Sequence, residues 1–129
     1  MSQSIATIAL VVADYDDAIS FYVDKLGFAL ASDLDMGGGK RWVTVTPDGG
    51  GARLLLAKAD GTAQSAHIGN QTGGRVGFFL ETDDFARDHA TYAARGVRFL
   101  EAPRNEAYGS VAVFEDLYGN KWDLIQPKG

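Results

Sequence analysis

Cysteine is absent from the 129-residue chain, which excludes disulfides and thiolate chemistry. Long apolar runs are absent too: the longest obvious one, Ile5 to Ala13, falls well short of the roughly 20 residues that cross a bilayer. No basic stretch precedes an apolar segment in Met1-Ser2-Gln3-Ser4, so no secretory signal is read and a cytoplasmic, membrane-free protein is expected. Lys and Arg are few and unclustered, 12 against 17 acids for a formal charge of −5. Nucleic-acid binding draws its affinity from clustered cations and is therefore not expected. Histidine occurs only at His67 and His89, neither in a ligand-spaced cluster. What remains is an ordinary globular balance, 46% apolar and 22% charged, which predicts one folded domain.

The β-branched stretch Ile5 to Val12 reads as a buried strand. Asp14 opens a helix whose apolar residues Ala18, Ile19, Tyr22, Val23 and Leu26 recur at helical spacing, with Gly27 as the stop. Phe28–Ser32, Arg41–Thr46 and Arg53–Ala57 follow as strands, set apart by the glycine triplets Gly37 to Gly39 and Gly49 to Gly51. The same order then recurs. Val76–Thr82 is a strand, Asp83–Arg95 a helix stopped by Gly96, and Val97–Leu100, Ser110–Glu115 and Lys121–Gln126 complete the set. The offset is nearly constant: Thr7 precedes Gly77 by 70 residues, Gly27 precedes Gly96 by 69, and Leu55 precedes Asp123 by 68. The chain therefore reads as an internal duplication.

The expected fold class is α+β, two tandem βαβββ modules at residues 4–57 and 76–127 joined by a polar linker at 58–75, in which Thr62 to Ile68 could form a helical turn. Each sheet buries one face against its helix and leaves the other open, and two such sheets form a cup-shaped mixed sheet suited to a ligand. Strand alternation assigns Thr7, Ala9 and Val11, Arg53, Leu55 and Ala57, Gly77, Phe79 and Glu81, and Lys121, Asp123 and Ile125 to the cup. Ile8 and Leu10, Leu54 and Leu56, Val76, Phe78 and Leu80, and Trp122 and Leu124 are assigned to the helix-covered core.

Two stretches carry a resemblance. Thr7-Ile8-Ala9-Leu10-Val11-Val12-Ala13-Asp14, followed by Ala18-Ile19-Ser20-Phe21-Tyr22 and Leu26-Gly27-Phe28, is similar to the opening of vicinal oxygen chelate proteins. Val113-Phe114-Glu115-Asp116-Leu117-Tyr118-Gly119-Asn120-Lys121-Trp122-Asp123-Leu124-Ile125 is similar to their last hairpin. The resemblance spans essentially the whole chain and points to the group of glyoxalases, bleomycin-resistance proteins and extradiol dioxygenases, without specifying a reaction. In metal-dependent members it implies four ligands, typically two His and two Glu, on one divalent ion. Residue by residue those positions are Thr7, Leu55, Gly77 and Asp123 in this chain. Two of them lack a side-chain donor, so no cofactor is expected at that site, with a weakly held divalent metal left open.

Further candidates surround these positions. Glu81 lies on the Asp123 side of its strand, and the two carboxylates could act as a shifted acid/base or metal pair, or Glu81 could be a rim residue. Trp42 and Phe79 could supply an aromatic wall, and Trp42 could equally be core. Arg104 and Tyr108, in a loop before the seventh strand, could bind an anionic group and donate a hydrogen bond, or could equally serve ordinary loop packing. The expected site is thus Asp123 and Glu81 as candidate catalytic groups, with Thr7, Ala9, Trp42, Arg53, Leu55, Gly77, Phe79, Tyr108 and Lys121 lining the cup. The leading function is metal-free binding of a small aromatic or cationic molecule, as in the bleomycin-resistance branch. The alternatives are a lyase or isomerase of glyoxalase type using Asp123 with Glu81 or Tyr108, and a non-catalytic structural dimer. A homodimer is expected in each case.

Overall fold

In a computed structural model describing residues 2–129, the first apolar run forms β1 (Thr7–Val12). Asp14 caps α1 (Tyr15–Ile19), its carboxylate accepting from the Asp17 amide at 2.8 Å, a cap worth about 1 kcal/mol. The helix continues in wider π turns over Ser20–Lys25, and Gly27, at φ 76°, ends it. β2 (Ala29–Gly37), β3 (Lys40–Thr46) and β4 (Arg53–Lys58) follow, then α2 (Gly61–Ser65). The second half builds β5 (Val76–Glu81), α3 (Phe85–Ala94), β6 (Arg98–Phe99), β7 (Arg104–Glu106), β8 (Gly109–Glu115) and β9 (Lys121–Pro127). The fold is α+β with two mixed sheets. Among the described residues no helix is long and apolar enough to cross a membrane.

The chain divides into two units, the first ending at Ile68 and the second starting at Gly69. In the first, strand order is β1-β4-β3-β2, with β1 and β4 parallel and the rest antiparallel. Leu10, Val12, Val43, Val45, Leu54 and Leu56 bury the helix-side face against Tyr15, Ala18, Phe21 and Tyr22. Ile8 departs from the expected core: it is 46% exposed although its pairing partner Leu54 on β4 is buried, which leaves this outer strand open at that point.

The second unit repeats the plan with the order β5-β9-β8-β6, β5 and β9 being parallel, and β7 pairing β8. Its core is an aromatic stack in which Trp122 lies against Phe78 at 4.6 Å and Phe114 at 5.8 Å between ring centroids. Tyr92 of α3 meets the edge of Phe114, and such pairs add to plain area burial. His89 lies against the rings of Phe85 and Phe99, which makes it part of this packing. The turn before β9 is tied by Asp116, whose Oδ1 accepts from the Tyr118 and Asn120 amides and whose Oδ2 accepts from Asn120 Nδ2, each at 2.9 Å.

Three expectations about secondary structure need correction. The run 104–106, expected as loop, is strand β7, paired Arg104 to Val111 and Glu106 to Gly109. β2 runs on to Gly37, well beyond Ser32, because a register shift between Leu30 and Ser32 lets the polar half keep pairing with β3. Gly77 is the extra residue of a bulge: Val76 pairs with Lys121 and Phe78 with Trp122. Val76, assigned to the core from alternation, is therefore the residue opposite Lys121.

Candidate functional site

The sheet face turned away from the helix carries the candidate residues in each unit. In the first unit Thr7 pairs with Arg53 and Ala9 with Leu55 across the parallel strands, and Leu55 pairs with Thr44 of β3. Thr44 is nearly fully buried, and its hydroxyl shares a 2.6 Å hydrogen bond with Ser32. Two residues along β3, and so on the same face, Trp42 is 41% exposed beside Leu34, its pairing partner on β2. Trp42 is consequently part of the open face and not of the core. Leu55 presents hydrocarbon where a carboxylate would be needed to hold a metal, and Arg53 is exposed.

In the second unit β9 places Asp123 between Phe79 of β5 and Val113 of β8. Ile125 and Val111 lie one pleat further along, and Glu81 pairs with Ile125. Phe79 is 60% exposed, so an aromatic ring stands open next to the carboxyl. Asp123 Oδ1 is buried and accepts no hydrogen bond. Burial pushes the Asp123 carboxyl above its ordinary range; the Arg104 charge pulls it back and the Glu101 charge pushes it further up. The charges acting on Asp123 thus include Glu101, which no motif or spacing singles out.

Arg104 is already engaged. Its Nε donates to Glu101 at 2.7 Å and Nη1 to Glu106 at 2.8 Å, which with a contribution from Tyr108 keeps the guanidinium firmly charged. Tyr108 itself stands 53% exposed in the β7–β8 turn. Lys121 turns its amine to the Gly74 carbonyl at 3.0 Å. His67 is exposed in the segment after α2.

The positions that would hold a divalent ion do not fit one. Leu55 and Gly77 have no side-chain donor, and the space a side chain at Gly77 would enter is filled by Thr72, whose hydroxyl donates to the Arg75 carbonyl at 2.7 Å. Among the described residues no group of three or more His, Cys, Asp or Glu is placed to bind an ion. A divalent cation needs several oxygen or nitrogen donors to replace its water, and these positions offer one hydroxyl and one carboxyl. Neither the bulge at Gly77 nor Thr72 over it could have been read from periodicity.

Known proteins resemble the chain over its full length. An uncharacterized protein of Shewanella frigidimarina (strain NCIMB 400) is 56% identical over 128 residues, 98% of this chain and 95% of its own. Among solved structures, UcmS2 has a TM-score of 0.83 at 28% identity, covering 97% of this chain and 98% of its own. TnmS3, an antibiotic binding protein from Streptomyces sp. CB03234, has a TM-score of 0.78 at 32% identity, covering 99% of this chain and 98% of its own. The family model for the Glyoxalase/Bleomycin resistance protein/Dioxygenase superfamily matches residues 4–124. With its duplicated strand-helix-strand plan and parallel outer pairs, the chain belongs to that superfamily.

Proposed function

We propose that this chain binds a small aromatic molecule on an open sheet face and does so without a divalent metal. The observation that carries the reading is that Leu55 and Gly77 stand where relatives that use a metal need donors, and this chain has hydrocarbon at one and no side chain at the other. The exposed rings of Trp42 and Phe79 favour an aromatic ligand, since exposed aromatics offer large stacking area at small entropic cost. The likeness to an antibiotic binding protein supports the same direction. A soluble sequestering protein, working by binding alone, is the function this combination serves best.

Metal content and binding test it together. Purified protein is expected to carry well under one divalent ion per chain by elemental analysis. A thermal-shift screen of bleomycin, polycyclic aromatic antibiotics and methylglyoxal-thiol adducts is expected to raise the midpoint with an aromatic compound, by mass action on the folded state. Stoichiometric metal whose removal abolishes ligand binding would sink the proposal.

A lyase or isomerase reading rests on Asp123, whose carboxyl is held above its usual range by burial and so is suited to proton transfer. Turnover of a screened compound that vanishes in Asp123→Asn while binding persists would favour it over sequestration.

A further inference from the structure

Asp123 stands out among the acids near it. Glu101 and Glu106 are held by Arg104, Glu115 pairs with Arg98 at 3.2 Å, and Asp116 is satisfied inside its turn. Asp123, half-buried at the centre of its sheet face, has one oxygen sealed from water with no donor reaching it. A buried acceptor left unpaired costs free energy that folding alone gives no reason to retain. The cation whose field reaches Asp123, Arg104, spends its donors on Glu101 and Glu106. Lys121, two residues away on the same strand, is turned to Gly74. Among the described residues no hydrogen-bond donor reaches Asp123 Oδ1, and its neighbours in the pairing, Phe79, Val113, Val111 and Ile125, are apolar.

We propose that Asp123 is the polar recognition group of the site, and that the ligand is an aromatic molecule bearing an N–H or O–H donor which sits on the Asp123 carboxyl while its ring packs against Phe79. The inference rests on the small-molecule reading and narrows it to a ligand class. Aromatic body and donor are set by adjacent residues of one row, Phe79 pairing directly with Asp123. The negative chain favours a cationic donor, though charge alone does not satisfy a directional acceptor.

Two planar cations with the same ring body separate the terms: 9-aminoacridine, which has N–H donors, and 10-methylacridinium, which has none. By isothermal titration, wild type is expected to prefer 9-aminoacridine about tenfold, the size of one charge-assisted hydrogen bond. In Asp123→Leu the preference is expected to fall to about twofold or less, because both cations lose the carboxylate charge but only 9-aminoacridine loses a hydrogen bond. Asp123→Asn, which keeps the shape and a weaker acceptor, is expected to give an intermediate ratio. Equal binding of the two cations by wild type, or a preference that survives Asp123→Leu, overturns the assignment of Asp123 and leaves aromatic binding standing. Binding of neither acridine, with no aromatic hit in the wider screen, overturns the small-molecule reading and this inference with it.

Discussion

Thr72 occupies the volume into which a side chain at Gly77 would project, its methyl carbon crowding the place of a Cβ. The contact lies within the second unit, between the segment that leads into β5 and the bulge that starts that strand. Thr72 holds its place by donating to the Arg75 carbonyl. Gly77 does not have a left-handed φ, so the position needs glycine for space and not for backbone conformation.

Gly77→Ala is therefore expected to destabilise the chain by about 1 kcal/mol, the low end for overpacking, because exposed Thr72 must give up its place, as measured by urea unfolding. Thr72→Gly in the same chain should recover most of that loss, because it vacates the space. A double-mutant cycle with no coupling between the two positions would show that the glycine is there for another reason.

The turn before β9 gives a second expectation. Asp116 is buried and accepts from two amides and from Asn120 Nδ2, while Asn120 Oδ1 accepts from the Gln71 amide. Asp116→Ala leaves these buried donors unpaired and is expected to cost about 3 kcal/mol or more. Asn120→Ala should also loosen residues near Gln71, visible as faster amide exchange there than in the first unit.

Much of this architecture was legible in the residues. The repeat offset placed the outer strands of each unit, and alternation put Thr7, Leu55, Phe79 and Asp123 on their observed faces, because β1, β4 and β9 pair without a break over those stretches. Periodicity failed where an extra residue enters a strand whose neighbours are all apolar: Val76-Gly77-Phe78 reads the same with or without a bulge. It failed again at Arg104-Asn105-Glu106, an edge strand with no apolar alternation to betray it. Glu101 escaped notice because its importance comes from the field it exerts on Asp123 through space, which no spacing rule encodes.

Trp42 and Trp122 should be separable by spectroscopy. Trp42 is partly exposed on the open face, whereas Trp122 is 4% exposed among Phe78 and Phe114. Acrylamide should quench mainly the Trp42 emission, and Trp42→Phe should leave a blue-shifted, poorly quenched spectrum. An aromatic ligand that protects wild-type emission from acrylamide, but not that of Trp42→Phe, would place the ring beside Trp42. Equal quenching of both indoles would contradict the assignment of Trp122 to the core.

The final expectation concerns pH and follows from the raised Asp123 carboxyl. Burial disfavours its anion, so the folded chain holds this proton more tightly than the unfolded chain. Its contribution to stability is then fully present below the unfolded value and is lost as pH rises through the folded value. Asp88 behaves in the opposite sense: burial raises it, but hydrogen bonds from Arg87 and Thr82 outweigh that and hold it low. Its contribution is lost on acidification, so the raw melting curve of wild type mixes the two. Subtraction separates them, because Asp123→Asn changes one group and leaves Asp88 in place. The midpoint of wild type minus that of Asp123→Asn is expected to fall as pH rises from the ordinary carboxylate value through the raised folded value. Arg104→Gln should move that fall to higher pH, since it removes the charge that favours the Asp123 anion. A difference that stays flat across this range would mean that Asp123 titrates alike in both states, and that its buried oxygen is satisfied by solvent.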